Sequence, residues 1–166
     1  MTKELSANFD SALPLHAAAY RSWSSIKPAV MAWLWYLNAI YCIGFFYIPR
    51  PEAVWALTSY LAVGPLIVWT IARHRGLTRV SGLIHLPWAP FALYLGVRLF
   101  SNALGPPLSW RSDAIYYLWL HVVFSSTCIC LAFDAWDLMR WRRGERFVLG
   151  TPAAAAAGAS KLARQE

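Results

Sequence analysis

The sequence predicts an all-α integral membrane protein: four transmembrane helices in one bundle, with both termini cytoplasmic. Four apolar stretches, at about 28–48, 53–72, 80–99 and 114–138, make up most of the 166 residues. The chain is 58% hydrophobic and only 14% charged, with ten tryptophans, which lies outside the range of a soluble domain. Basic residues fence the apolar runs, and twelve of the fifteen lysines and arginines fall on one side of them. By the positive-inside rule that side is the cytoplasm.

The head, residues 1–27, carries Leu15, Ala19, Trp23 and Ile26 at helical spacing after Pro14, which predicts a short helix lying in the cytoplasmic interface. The first run, 28–48, holds 21 residues without a charge. At about 1.5 Å per residue it spans roughly 31 Å, the thickness of a hydrocarbon core. It is longer than a signal-peptide core, and Ile48-Pro49-Arg50-Pro51 is a poor cleavage site, so it reads as a retained span. A tight turn follows at 49–52 and leads into the second span, 53–72, which contains Gly64-Pro65. Arg73, Arg75 and Arg79 mark a cytoplasmic loop.

The third span, 80–99, carries His85, Pro87 and Pro90, with Arg98 toward its outer end. The outer loop, 100–113, is broken by Gly105-Pro106-Pro107, and the fourth span, 114–138, ends in Asp134 and Asp137 before a basic cluster from Arg140 to Arg146. Together residues 28–149 form the transmembrane domain. Residues 150–166 are Ala-rich and lack bulky apolar side chains apart from Leu162, which predicts a disordered cytoplasmic tail.

Polar and helix-breaking residues inside apolar runs are the first places to look for function in a membrane protein. Asp137 has Arg140 three residues on, within reach along its own helix. Asp134 lies one turn deeper and needs a partner on another helix. His85 is the natural choice, because both residues lie about five positions, or roughly 7 Å, from the inner interface. His121 belongs to the opposite leaflet, and that mismatch in depth argues against a haem held between the two histidines. Pro65, Pro87 and Pro90 fall near the midplane and predict breaks in spans 2 and 3 at matched depth. Asn38, midway along span 1, is expected to hydrogen-bond a neighbouring helix.

Cys42, Cys128 and Cys130 all lie in apolar sequence and read as small hydrophobes. The outer loops hold no cysteine, which excludes a thiol oxidase that exchanges an extracytoplasmic pair. No metal centre, cofactor or catalytic cluster is predicted, and no nucleic-acid motif accompanies the basic charge. The expected partners are the lipid bilayer and another membrane protein or a second copy. The expected location is the cell membrane, as a multi-pass protein of a bacterial inner membrane. The leading functional reading is a non-catalytic accessory, assembly or immunity-type subunit that acts by helix packing. The alternative is a small oligomeric transporter or channel using Asp134 and His85, with a membrane enzyme third.

Overall fold

Proline opens many of the helices, as expected where the first amide needs no acceptor and a fixed φ favours the first turn. The computed structural model describes residues 13–101, 103–105, 108–111 and 113–162, so the first twelve residues of the head, Pro106 and Pro107 of the outer loop, and the last four residues of the tail lie outside the described residues. Helix α1 runs Leu15–Ser24, α2 Pro28–Cys42 and α3 Pro51–Leu61. They are followed by α4 Val63–His74, α5 Trp88–Phe100, α6 Ala114–Arg142 and α7 Pro152–Leu162. Two 3₁₀ helices, Ile43–Tyr47 and Arg79–His85, complete the set, and no strand occurs among the described residues.

Three segments are long and apolar enough to cross a membrane: Pro28–Tyr47, Pro51–His74 and Ala114–Arg142. The fourth apolar run is not one straight helix. Arg79–His85 and α5 meet at an angle of 48° and make a fourth span only as a bent pair. The prolines explain the break, because each lacks the amide that would bond back to the preceding turn. Pro87 caps α5, whereas Pro90 is the third residue of α5, where a missing amide costs no intrahelical bond. Pro65 is likewise the third residue of α4, and the change of helix falls upstream at Ala62. The changes of helix thus fall at Ala62 and at Leu86–Pro87, within the turn that precedes Pro65 and Pro90.

A core of Leu37, Tyr41, Trp88, Phe91, Leu95, Tyr116, Leu120 and Val123 joins the spans. The indole N–H of Trp119 donates to Ile40 O at 2.8 Å, and Tyr60 donates to Asn38 Oδ1, linking α3 to α2. Many large apolar side chains face outward, among them Trp35, Phe46, Trp69, Leu93, Ile115 and Phe133, a surface compatible with a membrane protein.

Polar contacts gather at the two ends. At one, Arg50 pairs with Asp113 at 2.6 Å, and Asp113 caps α6 by accepting from the Tyr116 amide at 3.1 Å. The amide and then the guanidinium hold this carboxyl below the usual carboxylate range. Beside it, buried Glu52 accepts from Arg98 Nε at 2.7 Å and from the Tyr116 hydroxyl at 2.9 Å, which ties α3, α5 and α6 together.

At the other end, α1, the 75–79 turn and residues 145–151 form a layer. Ser22 donates to Leu149 O at 3.0 Å, and the Leu149 amide donates to Leu77 O at 2.8 Å. Gly76 makes the turn with φ of 144°, and its lack of a side chain leaves room for Ser22. The tail differs from expectation, since Pro152–Leu162 is helical. Alanine has the highest helix propensity, and the Thr151 hydroxyl accepts from the Ala154 amide at 3.3 Å to start the helix.

Candidate functional site

The site is built where the 3₁₀ segment meets the last long helix. The Thr78 amide donates to Ser81 Oγ at 3.0 Å and starts the segment Arg79–His85, which places His85 at its last residue. On α6, Cys130 and Asp134 are four residues apart and so share one face. His85 Nδ1 lies 2.9 Å from Asp134 Oδ2, which brings together the two residues singled out by counting depth along the spans. The close approach depends on Gly82, where a Cβ would stand 2.7 Å from Asp134 Oδ1. Any side chain there pushes the carboxylate away.

Cys130 completes the group. Its sulfur is 3.7 Å from His85 Nδ1 and 3.8 Å from Asp134 Oδ2, so three potential metal-ligating side chains converge on one point. Cys42 and Cys128 are exposed and do not belong to this group, while Cys130 is buried.

His85 is held from its other side by aromatic stacking. Its ring lies 4.4 Å from that of Trp88, Trp88 stacks on Tyr41 at 4.8 Å, and Tyr41 stacks on Tyr60 at 5.3 Å. This row of four rings crosses three of the expected spans. Tyr41 is fixed in turn by Thr127, with their hydroxyl oxygens 2.8 Å apart.

His85, Trp88 and Asp134 line a cavity of about 750 Å³ whose apolar wall includes Leu34, Leu37, Leu61 and Ile67. Its polar rim carries Lys27, Arg79, Asp137 and Arg140. Asp137 pairs with Arg79 across the bundle, not with Arg140 as its spacing suggested. Arg79 also meets Glu145 at 2.9 Å, and Arg140 meets the same carboxylate at 2.7 Å. The 3₁₀ segment brings Arg79 over α6, and the turn after α6 brings Glu145 back to Arg140. The buried indole N–H of Trp88 has no hydrogen-bond partner among the described residues, an unmet donor on a residue of the cavity wall.

The remaining residues stand apart. His121 Nδ1 lies 2.9 Å from the Tyr117 carbonyl of its own helix, and its ring packs on Phe100. Pro65 and Pro90 do not line the cavity. Sequence reasoning missed Cys130 as a member of the site, although Cys130-x-x-x-Asp134 is a one-face spacing. It also missed Trp88 and Tyr41, since no pattern distinguishes a stacking ring from the other aromatic residues of an apolar run.

The chain matches no family profile, no curated protein and no solved structure.

Proposed function

We propose that this chain is a multi-pass protein of the cell membrane, of the bacterial inner membrane type, with both termini cytoplasmic, and that it is a small transporter using His85 and Asp134. The observation that carries this reading is that a titratable pair 2.9 Å apart, His85 buried and Asp134 half-buried, opens onto a cavity instead of being sealed in the core. A structural hydrogen bond between helices needs no adjoining space. A solute site needs that space, and it needs groups that can change charge; histidine does so near neutral pH. The topology draws support from the two polar ends. The segments carrying most of the basic residues, 21–27, 73–79 and 140–146, gather with α1 at one end, and the Arg50–Asp113 contact lies at the other.

The packing-subunit reading keeps one observation in its favour. The outward-facing rings of Trp35, Trp55, Trp69, Trp110 and Trp136 offer contact area for a membrane partner as well as for lipid. Reconstitution separates the two. In liposomes loaded with a pH-sensitive dye, the transporter moves protons, Asp134→Asn and His85→Ala each lower the flux to a similar residual level, and the double variant is no worse than either. Additive defects, or full flux in Asp134→Asn, refute the role of the pair. A stoichiometric membrane partner retained in mild detergent, with no flux, establishes the packing reading instead.

A further inference from the structure

We infer that His85, Cys130 and Asp134 form a binding site for a divalent transition-metal ion of the zinc class, with its open coordination position turned toward the cavity. The inference deepens the transport reading by naming the chemical class of the ion.

Geometry carries it first. A tetrahedral zinc ion, with bonds of about 2.3 Å to sulfur and about 2.0–2.2 Å to nitrogen and oxygen, holds its donor atoms about 3.3–3.6 Å apart. The three edges of the triangle here are 3.7, 3.8 and 2.9 Å. Both sulfur edges fall close to the required separation with no rearrangement of helices. The short edge is the one along which a hydrogen bond draws nitrogen and oxygen together, and a rotation of either side chain opens it by a few tenths of an ångström, on the order of the spread of such contacts.

Charge carries it second. A dication bound by one thiolate and one carboxylate is neutral overall, which is the arrangement a low-dielectric interior tolerates best. On binding, the metal–sulfur bond replaces the Cys130 S–H bond, and that proton leaves to water through the cavity. The hydrogen shared between His85 Nδ1 and Asp134 Oδ2 is displaced as well: the neutral imidazole passes to its Nε2–H tautomer through water, which frees Nδ1 for the metal and leaves the carboxylate as an anion.

Chemistry of the donors carries it third. Thiolate, imidazole and carboxylate together suit zinc and disfavour magnesium and calcium, which take oxygen ligands. His85 and Asp134 line the cavity and Cys130 lies behind them, so the fourth position faces the cavity, as in a site that exchanges its ligand. The arginines at the rim do not bar a cation. Arg79 is countered by both Asp137 and Glu145, and Arg140 by Glu145.

The test uses the full chain in detergent with Cys42→Ala and Cys128→Ala, which leaves Cys130 as the only thiol. Titration with Co²⁺ is expected to give a thiolate-to-cobalt charge-transfer band that saturates at about one equivalent and is bleached by Zn²⁺. The band disappears in Cys130→Ser, His85→Ala and Asp134→Asn weaken cobalt binding at least about tenfold, and His121→Ala leaves it unchanged. Zn²⁺ also slows alkylation of Cys130 in the single-cysteine protein, a readout that needs no substitution at the site. Absence of the band in the single-cysteine protein, its survival in Cys130→Ser, or equal alkylation rates with and without Zn²⁺ would overturn the site. No cobalt binding alongside intact Asp134-dependent proton flux defeats the metal and leaves the transport reading standing. One equivalent of cobalt bound through Cys130 without flux upholds the metal site and defeats transport.

Discussion

Asp134 illustrates how far single residues can be read from an unaligned chain. A carboxylate a turn or more inside an apolar span costs on the order of 2 kcal/mol or more unless something offsets it, so its presence announces a partner. Depth counting selected His85, and the two side chains meet. Cys130 went unread because a thiol in apolar sequence behaves as a small hydrophobe. Asp137 went to Arg79 instead of Arg140, since helix spacing limits what a residue can reach along its own helix and says nothing about what a neighbouring segment delivers. Gly82 gives this scale its prediction. Gly82→Ala places a methyl group against Asp134 and is expected to cost about 1–3 kcal/mol as overpacking, read as lower thermal stability in detergent. An unchanged melting transition would show that Asp134 has room to move.

At the scale of elements, hydropathy located every apolar run but not its hydrogen-bond pattern. The run 80–99 scores as one span, yet its first third is a 3₁₀ helix bent from the rest, because Pro87, the N-cap of α5, lacks the amide that would bond back to Leu83. Prolines mark such breaks imprecisely, since they also fit the first turn of the helix that follows. Composition misjudged the tail for a related reason: alanine buries little surface, but it also has the lowest cost of becoming helical. Tail and strap are separable. Deleting residues from Pro152 onward is expected to change stability by less than about 0.5 kcal/mol, the range of surface changes. Deleting from Phe147 onward removes the bonds from Leu149 to Leu77 and from Ser22 to Leu149, at about 1–3 kcal/mol, because buried Ser22 is left without its acceptor. Equal melting temperatures for the two truncations would refute the strap.

For the whole molecule, the two polar ends define the topology to be tested. Reporter domains fused after Arg75 and after Arg146 are expected to read cytoplasmic, and one near Pro106 external; a cytoplasmic signal near Pro106 would overturn four crossings. The Arg50–Asp113 contact is insensitive to physiological acidity. Asp113 has a depressed folded-state value, so the stability it adds is complete above the ordinary carboxylate value of about 3.9 and fades only as pH falls further, toward its folded value.

The bond from Ser22 to Leu149 joins residues 127 positions apart. Ribosomes add about 5–20 residues per second, so α1 leaves the ribosome roughly 6–25 s before its acceptor exists. During that interval the first helix has only the turn at Arg75 and Gly76 to settle on, and this layer of the bundle closes only when the last long helix is in place. The chain thereby carries its own completion mark. A nascent protein stalled before Val148 is expected to leave the Ala18–Ser22 face of α1 uncovered, and the finished one to cover it.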